Sequence, residues 1–340
     1  MNEHAVEPAR PEAGGTSADA PPALTLVTVV FEPELALLRL QARSLARFLD
    51  PRGVAQLVVL DNCAGGMGRR HRRAVLDSLG PTLAPRTTIV RTAALGVDSS
   101  TRGWRSQQAA KLLIARRIRT PHYVILDAKN HLIGPASAHD FVDAAGAARG
   151  GVHSYAAHPL RPDLERTLRF LGADDDTVAR MLASFPRTVT PFVVDTALAM
   201  RMLDDVERTA GAPFGAAFER AGLLEFFLYS GWSLLRAGRA PVNGDVIQAP
   251  ILWPGRATER GAAEAIDDAV ASRAAWFAVH RRVLARADGP TRQRIAAFWV
   301  DRGLMSAPEA ARFVRRFRMS YAPAVGRARI AERVSRLRSG

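Results

Sequence analysis

Of the 47 basic residues in this chain only two are lysines, Lys111 and Lys129, and they flank the apolar run H-Y-V-I-L-D at 122 to 127. A carboxylate just past a buried strand can hold a divalent cation or a ribose hydroxyl. An ammonium two residues further on can neutralise a diphosphate. Asp127 and Lys129 have that spacing. A solvated turn leaving a strand would carry the same residue types, so Asp-x-Lys alone leaves both readings open.

The segment before it adds weight. In G-W-R-S-Q-Q-A-A-K at 103 to 111, Trp104, Gln107 or Gln108, and Lys111 recur every three or four residues and share a stripe near a helix N-terminus. An aromatic face, two amides and an ammonium at the positive end of a helix suit a phosphorylated, sugar-bearing ligand. The plainer reading has Trp104 anchoring the helix start and Lys111 as a surface charge.

A third cluster is E-F-F-L-Y at 225 to 229, where Glu225 and Tyr229 share a helix face between bulky apolar residues. A carboxylate so flanked has a raised pKa and can serve as a general base. It can equally be a glutamate favoured by a helix N-terminus. C-A-G-G-M-G-R-R at 63 to 70 resembles an anion nest but has neither the Walker lysine nor G-x-G-x-x-G spacing, and reads as a flexible turn. The eight histidines, including His131, His153 and His158, show no paired ligand spacing, and no G-x-S-x-G elbow is present.

The elements that position these residues alternate. The sequence predicts strands at 24–31, 56–61, 87–91, 122–127 and 152–156, and helices at 34–49, 69–79, 104–118 and 137–148. Short apolar strands between amphipathic helices give an α/β fold, a mostly parallel sheet with helices on both faces. Ligands of such sheets collect past the carboxyl ends of the strands, which is where Asp127 falls. Helices at 174–184, 195–209 and 223–237 follow. After W-P-G at 253 to 255 the pattern reads as helical throughout: 262–287, 290–303, 307–318 and 324–338. The expected organisation is a disordered tail over 1–22, an α/β domain over 23–255 and an all-helical basic extension over 256–340.

Composition bounds the rest. The net charge is +14, and residues 256–340 contribute 18 arginines against eight acidic residues. Such a surface attracts anionic lipid, nucleic acid or polyphosphate without choosing among them. In the last helix Ile330, Val334 and Leu337 share one face and arginines crowd elsewhere, a layout that lies on an anionic membrane or docks on its own core. A nucleic-acid reader is disfavoured, because neither a reading helix nor a stacking sheet is recognisable. A single cysteine, Cys63, needs no oxidising compartment, and A-L-T-L-V-T-V-V-F at 23 to 31 is too short for a bilayer and lacks a signal-peptide layout. The expected location is the cytoplasm, with peripheral contact at the inner face of the membrane.

In order along the chain, V-T-V-V-F at 27 to 31, W-R-S-Q-Q-A-A-K at 104 to 111, Y-V-I-L-D-A-K-N at 123 to 130, T-P-F-V-V at 190 to 194 and E-F-F-L-Y at 225 to 229 resemble a bacterial family of glycosyltransferase-like proteins. That family is known mainly as a domain of unknown function with a GT-A-like nucleotide-sugar transferase fold. The resemblance covers roughly residues 24 to 250. It implies transfer of a sugar from a nucleotide-sugar donor to a hydroxyl of a glycan, cell-envelope or secondary-metabolite acceptor. It implies that Asp127 stands where such enzymes carry Asp-x-Asp, whose carboxylates hold Mn²⁺ or Mg²⁺ on the donor diphosphate. Here Lys129 replaces the second carboxylate. Either Asp127 holds the metal alone, or Lys129 supplies the charge and the metal is dispensable; the second is the expectation. By the same resemblance Asp61 meets the nucleoside, Trp104, Gln107, Gln108 and Lys111 line the donor, and Glu225 deprotonates the acceptor in an inverting transfer. The other reading is a sugar-nucleotide or polysaccharide binder that kept the fold without catalysis.

Overall fold

All seven side chains of the strand Leu24–Val30 (β1) are buried, as a strand requires when it is paired on both edges and covered on both faces. The computed structural model describes residues 23–97 and 104–339, with Trp104 and residues 327–339 described by backbone alone. The tail expected over 1–22 lies outside these residues. From β1 the chain alternates through α1 (Leu35–Phe48), β2 (Val54–Asp61), α2 (Arg69–Leu83), β3 (Thr87–Arg91), α3 (Trp104–Leu113) and β4 (His122–Asp127). Next come β5 (Asn130–Leu132), β6 (Val152–His153), α4 (Arg161–Phe170), α5 (Asp175–Ala183), β7 (Phe185–Pro186), β8 (Phe192–Asp195), α6 (Thr196–Ala210), α7 (Phe214–Arg220) and α8 (Glu225–Leu235). The C-terminal part holds β9 (Ile251–Leu252), α9 (Glu259–Ala271), β10 (Trp276–Val279), α10 (Arg281–Arg286), α11 (Gly289–Asp301) and α12 (Ala307–Ser339).

The principal sheet has the order β3-β2-β1-β4-β8. Its first four strands are parallel, and β8 runs antiparallel to β4. This is the mostly parallel α/β sheet that the alternation predicts. The register sets Asp61 beside Val30 and Asp127 beside Val29, so two carboxylates leave the same sheet edge on opposite sides of β1. α1 buries Leu37, Leu38, Leu40 and Leu45 and turns Arg39 outward, the layout of a helix covering one face of the sheet.

Three expectations are corrected. Residues 137–148 form no helix: a single 3-10 turn, Ala138–Asp140, is followed by a loop. The Asp143 carboxylate accepts from the backbone N–H groups of Ala145 and Ala147, an alternative that aspartate offers the backbone in competition with a helix. The strand expected at 152–156 shrinks to the two residues of β6, paired with β7. The helix expected at 262–287 is broken by β10, which lies between β5 and β9 in a second sheet. W-F-A-V is four apolar residues of high β-propensity, a length at which helix and strand share one pattern.

The C-terminal segment is otherwise helical, as expected, and it shares its core with the N-terminal half. One hydrophobic cluster joins Leu26 and Leu37 to Trp276, Phe298, Trp299 and Phe317. The helices expected at 307–318 and 324–338 are one continuous α12 with Pro323 inside it. Among the described residues no helix is long and apolar enough to cross a membrane.

Candidate active site

A cavity of about 270 Å³ opens past the carboxyl ends of β1 and β4. Side chains from both halves of the sequence line it. Gln107, Gln108 and Lys111 come from α3, Asp127 and Lys129 from the end of β4, Glu225 and Phe226 from the first turn of α8, and Trp253 and Arg281 from the C-terminal part.

Lys111 is the hub. Its Nζ lies 3.1 Å from Asp127 Oδ1 and 3.1 Å from Glu225 Oε1, and 5.2 Å from the centre of the Phe226 ring. Only 5% of the side chain is exposed. Burial opposes the charge on Lys111, yet the two carboxylates outweigh it and hold the ammonium above its ordinary pKa. Burial likewise opposes ionisation of Asp127, but Lys111 and Lys129 together hold it far below the carboxylate range. Glu225 behaves differently. Burial raises its pKa against the single attraction of Lys111, so this carboxylate is the readier of the two to take a proton.

The end of β4 is locked by side chains. Asp127 Oδ2 is ion-paired with Lys129 and accepts from Thr190 Oγ1 at 3.2 Å. The backbone N–H of Asp127 donates to Asn130 Oδ1 at 2.8 Å, and Asn130 Nδ2 donates to the Thr190 carbonyl at 3.1 Å. From α1, Gln41 Nε2 donates to the carbonyls of both Asp127 and Asn130 at 2.9 Å, while its Oε1 accepts from Thr28 on β1 at 2.8 Å. His131 completes the hold on Lys129. Its Nε2 accepts from Trp299 Nε1 at 2.9 Å, which leaves Nδ1–H to donate to the Lys129 carbonyl at 3.2 Å. Burial lowers the His131 pKa to about 4, so the ring is neutral at neutral pH and the N–H assignment holds.

The structure therefore brings Lys111, Asp127, Lys129, Gln107, Gln108 and Glu225 to one cavity. Gln108 is buried, and its Oε1 has no hydrogen-bond partner among the described residues. Asp61 is placed elsewhere. Its carboxylate is fully buried and accepts from the N–H groups of Cys63 at 3.1 Å and Met67 at 2.7 Å, with Arg72 and Arg91 each 3.6 Å away. It shapes the turn at 62–67 and does not line the cavity. The Trp104 side chain lies outside the described residues. Tyr229 is fully buried and accepts from the Asp195 N–H at 2.9 Å.

Sequence reasoning missed Glu34, Arg281, Trp253 and His280, which also line the cavity. Glu34 pairs with Arg281 at 2.7 Å, and burial raises its pKa against that partner. Trp253 is 47% exposed, with Lys129 Nζ 5.6 Å over its ring and His280 5.6 Å away on tilted planes. Glu34 carried the same signal as Asp127, a carboxylate shortly after a buried apolar strand. Arg281, reached by the chain 247 residues later, carried none. Among the described residues no group of three or more histidine, cysteine or carboxylate side chains is arranged to hold a metal ion.

Residues 34–239 match the model of the family of unknown function DUF6492. The chain belongs to that family. The matched span includes Glu34, Lys111, Asp127, Lys129 and Glu225, and stops short of Trp253 and Arg281. A comparison with curated proteins found no match. Among solved structures the chain is similar to the apo form of the bifunctional glycosyltransferase WbbM, with 11% identity and a TM-score of 0.46 over 87% of this chain and 52% of that one. It is similar to the galactosyltransferase LgtC in complex with donor and acceptor sugar analogues, with 12% identity and a TM-score of 0.40 over 86% and 95%. It is also similar to mouse xyloside xylosyltransferase 1, with 11% identity and a TM-score of 0.39 over 76% and 98%. The chain thus spans about half the length of the first of these.

Proposed function

We propose that this chain is a glycosyltransferase that moves a sugar from a nucleoside-diphosphate donor to a hydroxyl acceptor. The observation that carries the reading is the meeting of Lys111, Asp127, Lys129 and Glu225 in one cavity past the carboxyl ends of parallel strands. Lys129 is the group to meet the diphosphate: its stem leaves a locked loop, and its ammonium faces Asp127 on one side and the Trp253 ring on the other. Gln108 Oε1, buried and without a partner among the described residues, accepts from a sugar hydroxyl.

In the proposed transfer Glu225 takes the proton of the acceptor hydroxyl, the freed oxygen bonds to the anomeric carbon, and the bond from that carbon to the phosphate oxygen breaks. The electron pair leaves with the nucleoside diphosphate, whose charge Lys129 and Lys111 neutralise. Attack from the face opposite the leaving group inverts the anomeric centre.

A resident Mn²⁺ or Mg²⁺ does not fit this set of residues, and none is assigned. Both oxygens of Asp127 already face ammonium groups, and Arg281 brings a third cation to the same cavity. Glu225 Oε1 is likewise held by Lys111 and Glu34 by Arg281, so each carboxylate that lines the cavity already faces a cation and Asp127 has no free oxygen for a divalent ion. Titration calorimetry with a panel of UDP-sugars and GDP-sugars, in EDTA and again with Mn²⁺, tests the proposal. Micromolar binding of at least one donor in EDTA is expected, and no binding under either condition sinks it.

A second reading, a donor-binding protein without catalysis, is favoured by the tie between Glu225 and Lys111, which holds one oxygen of the intended base. Glu225→Gln separates the two. The transferase loses turnover and keeps donor affinity, whereas a binder has no turnover to lose.

A further inference from the structure

α1 and α12 enclose a groove of about 240 Å³, and four arginines line it. Arg39 and Arg43 stand one turn apart on α1, and Arg312 and Arg316 one turn apart on α12. Like charges at that spacing disfavour the helices that carry them. The one acidic side chain lining the groove is Glu309, which is committed: it lies 3.5 Å from Arg43 and accepts from the Ser306 N–H at the start of α12. Arg43 is committed too, donating to the Leu304 carbonyl. Arg39, Arg312 and Arg316 are exposed and have no ion-pair partner among the described residues. Beneath them two aromatic rings form part of the groove floor. Phe317 is buried, Phe313 half-buried, and their rings are 6.2 Å apart and nearly parallel.

We propose that this groove binds the anionic phosphate head of a membrane lipid, with Arg39, Arg312 and Arg316 on the phosphate oxygens and the first carbons of the lipid on the half-buried Phe313. Guanidinium forks match phosphate oxygens in pairs, and an anion among them relieves the repulsion that the helices otherwise bear. The aromatic part of the floor selects the source. A free polyanion gains nothing from the open side of the Phe313 ring, whereas a lipid covers it. One further feature extends the same surface: Met319, on the turn after Arg316, is 71% exposed. This binding site is independent of the sugar-transfer reading and survives its failure.

Co-sedimentation of the full chain with phosphatidylglycerol vesicles, against phosphatidylcholine vesicles, tests it. Binding to the anionic vesicles alone is expected. Each arginine neutralised at an anionic surface weakens binding about fivefold, so Arg312→Gln with Arg316→Gln weakens it about 25-fold. Removing the same charge on α5 and α6, with Arg180→Gln and Arg201→Gln, changes it less than about twofold. Thermal melts accompany the sedimentation: the groove variant melts at or above the parent temperature, since it loses repulsion, and phosphatidylglycerol raises the melting temperature of the parent and of the α5/α6 variant but not of the groove variant. Equal weakening by both double variants assigns adsorption to net charge and overturns the site. So does release from the vesicles by excess inorganic phosphate or by RNA at equal phosphate concentration, which assigns the groove to a soluble anion. A groove variant that melts well below the parent gives these arginines a structural role, with the same consequence.

Discussion

Lys111 Nζ on α3 lies 3.1 Å from Glu225 Oε1 on α8, two buried opposite charges 114 residues apart in the chain. The same nitrogen reaches Asp127, so one cation answers two carboxylates. Breaking a buried ion pair from one side leaves the other charge unpaired and costs about 3–5 kcal/mol. Lys111→Met is therefore expected to lower the urea midpoint severely, whereas Lys111→Met combined with Glu225→Leu recovers part of the loss. A double-mutant cycle measured by urea denaturation checks it. Coupling below about 0.5 kcal/mol would mean that the pair is not formed in solution.

Acid stability follows from the direction of each pKa shift. Asp127 ionises more readily folded than unfolded, so its contribution is present above the ordinary carboxylate value of about 4 and is lost as pH falls towards its depressed folded value. Glu225 and Glu34 are raised by burial. They favour the folded state fully below the ordinary glutamate value, and that contribution is lost as pH rises through their raised folded values. Asp127→Asn is expected to flatten the decline of stability between about pH 5 and pH 2, followed by urea midpoints at successive pH values. An unchanged slope would remove Asp127 from the set of shifted groups.

What was legible follows from how each feature is encoded. L-T-L-V-T-V-V is seven residues long and rich in β-branched side chains, and Y-V-I-L is set off by Pro121 before it and by polar residues after it, so both read as strands and placed the strand end at which Asp127 emerges. Lys111 and Lys129 stood out by residue type, because the rest of the chain writes its Lys/Arg cations as arginine. W-F-A-V did not stand out, since four apolar residues next to amphipathic helices fit either period, and with β10 hidden, Arg281 could not be placed opposite Glu34. Gln41 looked like any polar residue of an amphipathic helix. Its two bonds to the carbonyls that follow β4 exist only because β1 and β4 pair.

Trp299 is expected to matter for Lys129 from a distance. Its indole N–H is the donor to His131 Nε2, and the other ring nitrogen of His131 holds the Lys129 carbonyl. Trp299→Phe keeps most of the apolar volume but strands a buried acceptor, at about 1–3 kcal/mol. Urea denaturation reads the stability, and donor affinity, which in the proposed function depends on Lys129, is expected to fall with it. A stability loss with donor affinity unchanged would show that His131 does not position Lys129.

Trp253 calls for the opposite pattern. It is half exposed on the rim of the cavity, so Trp253→Ala is expected to change stability by no more than about 0.5 kcal/mol. In the proposed transfer the sugar nucleotide covers the indole, so the tryptophan fluorescence change on titration with the donor is expected to shrink in this variant while thermal melts coincide with the parent. A full fluorescence response in Trp253→Ala would place the ligand away from this rim.

Metal dependence can be written into the site by one residue. In the parent, Lys129 and Lys111 occupy both oxygens of Asp127, and the affinity for UDP or GDP is expected to be the same in EDTA and in Mn²⁺. Lys129→Ala removes a charge-assisted contact worth about 1.5–3 kcal/mol, so nucleoside diphosphate binding weakens about tenfold or more in either buffer. Lys129→Asp goes further: it adds a second carboxylate two residues after Asp127 and removes the ammonium that blocks it. That variant is expected to bind in Mn²⁺ and not in EDTA. Calorimetry on the three proteins in both buffers distinguishes the cases, and a parent that already requires Mn²⁺ would move the cation role from Lys129 to the metal.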